Sequence, residues 1–260
     1  MDLQVKGKVV LITGGAKGIG AAIVRACARE DAIPVIVDQD AFAARKLHSE
    51  MQTAGKKCGL ICVDLLAPGN CSSAIERTLR EFGKLDVLVN NAGVNDRVGL
   101  ESGSPGKYLE SLQRNLLHYY NMAHYALPAL KNSQGCVVNI ASKTAVTGQG
   151  DTSGYASAKG AIFALTREWA VELLPFGIRV NAVVPAEVMT PLYQKWLSTF
   201  PRPKEKLQQI VSKIPLGKRM TRPEEIAAMV LFLISEQAGH ITGQHLFVDG
   251  GYVHLDRALT

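Results

Sequence analysis

Seven short runs of β-branched and aliphatic residues punctuate the chain. They are "KVVLIT" (8–13), "IPVIVD" (33–38), "CGLICV" (58–63), "DVLVNN" (86–91), "CVVNIAS" (136–142), "IRVNAVVP" (178–185) and "HLFVDG" (245–250). Each is near-continuous rather than alternating, the pattern of a strand covered on both faces. Helix-length segments separate them, at 18–31, 41–54, 69–83, 107–131, 154–174 and 222–236. Strand alternating with helix implies right-handed crossovers and a doubly wound parallel sheet. One segment, 186–215, breaks the rhythm with Pro191, Pro201, Pro203 and Pro215 around helical stretches. An insertion after a strand's C-terminal end suits a substrate lid, and it suits an oligomer contact equally well.

Composition narrows the class. A 260-residue chain that is 47% apolar and 20% charged is expected to form a single α/β domain over 1–260 with a full core. The net charge of +6 is dispersed, and its densest clusters, Lys56-Lys57 and Lys218-Arg219, are too short for a nucleic-acid stripe. The five cysteines include no C-x-x-C pair, so neither a disulfide framework nor a metal site is indicated. Cys27 and Cys136 lie in apolar runs and read as core residues. No signal region opens the sequence and no uncharged apolar stretch is long enough to span a membrane, so a cytoplasmic protein is expected.

The first strand runs directly into "LITGGAKGIGAAI" (11–23), where Gly14, Gly18 and Gly20 are spaced G-x-x-x-G-x-G at a helix start. Glycines there allow a tight turn and close approach of backbone to a pyrophosphate, which meets the positive end of the helix. Asp38 ends the second strand, 24 residues after Gly14. A carboxylate at that place accepts from adenosine-ribose hydroxyls and repels a 2′-phosphate. Together these features predict a Rossmann-type dinucleotide site. Lys17 argues the other way, since a base in the turn helps hold a 2′-phosphate; it could instead neutralise Asp38. NAD is the expected cofactor, with NADP open.

The remaining motifs carry the chemistry. "NNAG" (90–93) ends the fourth strand, Asn115 follows in a long helix, Ser142 ends the fifth strand, and Tyr155 and Lys159 form Y-x-x-x-K, 13 residues after that serine. Residues four apart share a helix face, with Cβ atoms roughly 5–6 Å apart. An ammonium about 4 Å from a phenol is worth about 4 kcal/mol at an effective dielectric near 20, or roughly three pKa units. That predicts a Tyr155 pKa drawn from about 10 toward 7, where a general base is useful. In this order and spacing the motifs resemble the short-chain dehydrogenase/reductase family over essentially the whole chain.

The resemblance implies hydride transfer between an alcohol carbon and a nicotinamide. It makes Tyr155 the base, Ser142 the partner of the reacting oxygen, Lys159 the residue that tunes Tyr155 and holds the nicotinamide ribose, and Asn115 the anchor of a relay water. It also implies cofactor contacts from Ile19, Asp64, Leu65, Asn91, Ala92, Gly93, Pro185, Val188 and Thr190. Asn90 is expected to stabilise the sheet instead. Where the family usually has Pro-Gly, this chain has Pro185-Ala186, and alanine allows less backbone freedom.

The segments that should line the substrate pocket are polar, with Asn95, Asp96, Lys143, Thr144, Gln149, Asp151, Glu187, Tyr193 and Trp196. Buried donors and acceptors favour a hydroxyl-rich ligand. "RNLLHYYNMAHYALP", "SKTAVTGQGDTSGY", "PAEVMTPLYQKW" and "DGGYVHLDRALT" are similar to the bacterial L-fucose dehydrogenase branch of the family. That similarity implies an aldose as substrate, with Asn95, Lys143, Gln149, Glu187 and Trp196 around it, and a homotetrameric assembly. A 3-oxoacyl reductase, a hydroxysteroid dehydrogenase and a non-catalytic dinucleotide sensor are the alternatives. The tail "YVHLDRALT" either reaches a neighbouring subunit's pocket or ends as a frayed terminus.

Overall fold

A computed structural model describes residues 2–256. The last part of the tail, from Arg257 onward, lies outside the described residues. Seven parallel strands form one sheet: β1 (Val9–Thr13), β2 (Ile33–Asp38), β3 (Gly59–Cys62), β4 (Val87–Asn90), β5 (Cys136–Ile140), β6 (Arg179–Pro185) and β7 (His245–Val248). Their order is β3-β2-β1-β4-β5-β6-β7, so the winding reverses between β1 and β4. In open sheets of this kind the crevice beyond the strands' C-terminal ends, at that reversal, is where ligands bind.

The strands are apolar on both faces because both faces are covered. Val10 and Ile12 of β1 pack with helices α1 (Gly18–Arg29), α2 (Ala41–Thr53) and α9 (Pro223–Ile234). Val9 and Leu11 point the other way, into a core shared with α3 (Pro68–Phe82), α5 (His118–Ser133) and α6 (Ser153–Leu173). This alternation follows from the period of two along a strand. Cys27 and Cys136 are buried in the first of these cores. Asn90 and Asn139, on adjacent strands, are buried side by side, with Asn90 Nδ2 donating to Asn139 Oδ1 at 3.1 Å. Among the described residues no helix is long and apolar enough to cross a membrane.

The helix expected over 107–131 is interrupted. It begins as α4 (Pro105–Leu112), widens into a π-helical turn at Gln113–Leu117 and continues as α5. Ser104 caps its start by accepting from the Lys107 amide at 3.2 Å. A π turn inserts one residue into the helical ladder and re-aims the side chains that follow, and such turns are frequent at functional sites. Within 186–215 two short helices form, α7 (Pro191–Leu197) and α8 (Pro203–Val211), each opened by a proline.

Candidate active site

A cleft of about 710 Å³ lies at the carboxyl ends of β1, β2, β4, β5 and β6. The glycine turn makes its floor. Gly14 and Gly18 have φ of +61° and +54°, in the region that disfavours side chains. A Cβ on Gly20 would lie 2.1 Å from the Gly14 carbonyl oxygen, so the helix start can approach the turn only without one. Lys17 precedes α1 without a side-chain cap, leaving first-turn amides of a twelve-residue helix for an anion. The turn is bolted to the β4 loop. Thr13 Oγ1 accepts from the Asn91 and Ala92 amides at 2.9 and 3.0 Å, and Asn91 Nδ2 donates to the Thr13 and Gly14 carbonyls at 2.9 and 3.0 Å.

Asp38 is held at the cleft wall by amides, with Oδ2 accepting from Ala16 at 3.0 Å and Oδ1 from Asp40 at 2.9 Å. Lys17 does not neutralise it. The Lys17 ammonium pairs with Asp40, the residue that caps α2 by accepting from the Ala43 amide at 3.0 Å. The lysine's reach favours this outer carboxylate because both amides already orient Asp38. Farther along, Asp64 and Leu65 line the cleft, joined by Arg114 and His118, which the sequence reading did not assign. His118 Nε2 lies 2.9 Å from the Arg114 carbonyl. Burial pushes the imidazole down to about 4, so it is neutral at ordinary pH.

Ser142, Tyr155 and Lys159 line one wall together. Ser142 Oγ accepts from the Thr144 amide at 3.2 Å and from Thr144 Oγ1 at 3.1 Å, which fixes its rotamer. Lys159 Nζ donates to the Ile140 carbonyl at 2.8 Å and to Tyr119 Oη at 3.1 Å, and lies 5.5 Å from the centre of the Tyr155 ring. Asn115, in the π turn, does not line the cleft. Its Oδ1 accepts from the Val94 amide at 2.7 Å and its Nδ2 donates to the Ser111 carbonyl at 3.0 Å, so it braces the loop that does.

The expected lowering of the Tyr155 phenol is reversed. Burial pushes it up to about 12, with the Ser142 hydrogen bond opposing and the Asp96 charge adding to the rise. Lys159 is pushed down to about 7, also by burial. Taking each group out of water disfavours its charged form, and here that outweighs the attraction between phenolate and ammonium. A cationic group in the cleft would reverse the balance for the phenol, by the same Coulombic rule.

The 186–215 segment closes the opposite side. Pro185, Val188, Thr190 and Tyr193 line the cleft, and Thr190 caps α7 by accepting from the Tyr193 amide at 3.2 Å. Its methyl group lies 3.2 Å from where a Gly18 Cβ would project, so this segment rests on the glycine turn. Lys143, which is buried, and Glu187, which is partly buried, form an ion pair. Tyr193 Oη donates to the other Glu187 oxygen at 2.7 Å, and the Tyr252 ring lies under the Lys143 ammonium at 4.2 Å. Burial, followed by the Glu187 charge, raises the Tyr193 phenol far above its ordinary range, so it remains a donor. Trp196 packs edge-on against Tyr193, with ring centres 5.0 Å apart. Of the expected substrate contacts only Asn95 lines the cleft; Lys143, Glu187 and Trp196 stand behind its lining, and Gln149 is exposed outside it.

Comparison with known proteins agrees with this arrangement. A family model described as enoyl-(acyl carrier protein) reductase matches residues 14–253. The L-fucose dehydrogenase of Bos taurus is 37% identical over 252 residues, covering 96% of this chain and 91% of that protein. The crystal structure of the Cj0485 dehydrogenase is 46% identical with a TM-score of 0.94, covering 100% of this chain and 99% of that one. The L-sorbose reductase of Gluconobacter frateurii, solved with NADPH and L-sorbose, is 28% identical with a TM-score of 0.94, over 98% of this chain and 100% of that one. Likeness that runs from the first glycine of the turn to the residues beyond β7 takes in every wall of the cleft, and the chain belongs to the short-chain dehydrogenase/reductase family of oxidoreductases.

Proposed function

We propose that this oxidoreductase is an NAD-dependent aldose 1-dehydrogenase, oxidising the anomeric carbon of L-fucose or a related aldose to the lactone. The observation that carries the reading is Tyr193, which lines the cleft with Ser142 and Tyr155 and donates to Glu187, the partner of Lys143. An apolar alcohol reaching that wall would leave the polar groups of Tyr193, Ser142 and Tyr155 short of partners, whereas a polyhydroxylated ring supplies hydroxyls. The similarity to an L-fucose dehydrogenase supports the same class.

The cleft fits a nicotinamide dinucleotide. The glycine turn offers backbone amides to a pyrophosphate, Asp38 offers a carboxylate to a ribose, and Asp64 and Leu65 lie where a base would reach. Such a cofactor supplies the hydride acceptor. Asp38 favours NAD, and the engagement of Lys17 by Asp40 removes a cation from a 2′-phosphate. The chain's own residues handle the proton. Tyr155 Oη takes it from the C1 hydroxyl, Ser142 Oγ holds the same oxygen, and Lys159 supplies the positive charge that favours the phenolate. Asn115 keeps the β4 loop in place behind them. A cytoplasmic homotetramer completes the reading, and light scattering tests the assembly.

The deciding experiment follows NADH and NADPH formation with L-fucose and a panel of aldoses, using a hydroxysteroid and a short acyl alcohol as controls. NADH formation with aldoses of the L-fucose configuration is expected. If neither cofactor is reduced by any aldose, the sugar assignment falls while family membership stands.

A further inference from the structure

Tyr119 is the largest fully buried side chain, and its hydroxyl is not spent on packing alone. Tyr119 Oη donates to the Ile140 carbonyl at 2.9 Å and accepts from Lys159 Nζ at 3.1 Å, while Lys159 Nζ donates to that same carbonyl at 2.8 Å. The three polar atoms form a closed triangle beneath the cleft. An ammonium has three N–H donors. The triangle engages at most two of them, which leaves at least one unspent. Lys159 lines the cleft, and its Nζ lies 3.7 Å from where a Gly93 Cβ would project. The unspent donor therefore has the cleft before it.

We infer that Tyr119 is a positioning residue for the reaction, its hydroxyl holding the Lys159 ammonium so that one N–H faces the cleft beside Tyr155. The inference rests on the reading of Tyr155 and Lys159 as base and charged partner, and adds a residue which that reading does not contain. Without the hydroxyl, Lys159 keeps a single fixed acceptor and swings about it. The other ionisable groups around it do not replace that function. His118, on α5, is neutral. Asp96 acts on Tyr155, and Asp64 acts on His118. Burial holds the Tyr119 phenol well above its ordinary range, so it stays a hydroxyl able to donate and accept at once.

The test compares wild type with Tyr119→Phe, Tyr155→Phe and Lys159→Met. It reads the pH dependence of kcat for L-fucose oxidation, and NMR titration of ε-13C-labelled lysine assigned by the Lys159→Met spectrum. In Tyr119→Phe the charged form of Lys159 loses an acceptor, so its titration moves down. The acid limb of kcat moves up by about one pH unit, kcat near neutrality drops about tenfold, and KM for the sugar is unchanged. A purely structural Tyr119 would lower the melting temperature and move neither titration. If Tyr119→Phe does not fold, 3-fluorotyrosine at this position, a weaker acceptor of nearly the same shape, must shift both titrations in the same directions. Undisturbed titrations with Tyr155→Phe inactive overturn the inference alone; full turnover in Tyr155→Phe overturns the catalytic reading and the inference with it.

Discussion

Lys143 and Glu187 form an ion pair, one from the turn after β5 and the other from the segment after β6. The pair ties the 186–215 segment to the turn that carries Ser142, and Tyr193 takes the remaining Glu187 oxygen. A sugar hydroxyl that meets Glu187 must therefore share it with two partners that already orient it.

Glu187→Gln keeps the shape and removes the charge, leaving the Lys143 ammonium over the Tyr252 ring without its opposite charge. Breaking a buried pair from one side costs about 3–5 kcal/mol. At roughly 2–4 °C per kcal/mol for a chain of this size, the melting temperature should fall by roughly 6–20 °C. Calorimetry checks that, and KM for L-fucose should rise about tenfold with a smaller change in kcat. Adding Lys143→Met should recover much of the stability while KM stays high, since it removes the stranded charge but not the loss of the acceptor.

On the proposed reading, Asp38, Asp40 and Lys17 should set cofactor choice. Asp38→Ala removes a ribose acceptor and a repulsive charge, so kcat/KM should fall about tenfold with NAD and rise with NADP. Asp40→Ser keeps an oxygen at the α2 cap and releases Lys17. It should lower KM for NADP and leave NAD kinetics near wild type. An NADP-to-NAD ratio unchanged in both variants would show that preference is set elsewhere.

The strands and the glycine turn were legible because each is local: continuous apolar runs follow from burial on two faces, and the turn from three glycines beside a strand. The grouping of Ser142, Tyr155 and Lys159 was legible from spacing. Partners brought together by the fold were not. Lys17 sits near both Asp38 and Asp40 on paper, and only the amides that occupy Asp38 decide between them. The π turn at Gln113–Leu117 leaves no mark on periodicity, because one inserted residue shifts the apolar stripe less than its width. Tyr119, four residues after Asn115, carries nothing in the sequence to signal that its hydroxyl would meet Lys159. The Tyr155 phenol was misjudged because helix spacing reports the nearby charge and not the burial.

Burial of Lys159 has a cost in stability that depends on pH. Its pKa is about 7 in the folded protein against an ordinary 10.5. Below pH 7 the ammonium is charged in both states and the folded state bears the full desolvation cost. Between about 7 and 10.5 the unfolded chain binds more protons than the folded one, so this group's contribution to stability rises with pH. Lys159→Met should therefore raise the melting temperature most at pH 6 or below, and the advantage should shrink toward pH 10. Activity should be lost throughout, which is the trade expected where a site keeps a strained charge. A melting-temperature difference that does not vary with pH would contradict the assignment of that cost to Lys159.

Two glycines at helix starts separate propensity from fit. Alanine is favoured over glycine inside a helix by about 1 kcal/mol, so propensity alone makes Gly20→Ala and Gly69→Ala both stabilising. Space divides them. At Gly69 in α3 an added Cβ meets nothing within 4 Å, whereas at Gly20 it meets the Gly14 carbonyl oxygen at 2.1 Å and Asn91 Nδ2 at 2.8 Å. Those two atoms hold the glycine turn to the β4 loop, so they can yield only by opening the turn. Gly69→Ala should gain up to about 1 kcal/mol with dinucleotide binding intact. Gly20→Ala should lose about 1–3 kcal/mol by overpacking and weaken NADH binding, read by fluorescence titration, at least tenfold. The two losses have one origin, because the atoms displaced by the new Cβ belong to the turn that offers its amides to the pyrophosphate. Normal NADH affinity in a destabilised Gly20→Ala would separate the turn from the binding site and refute its proposed role.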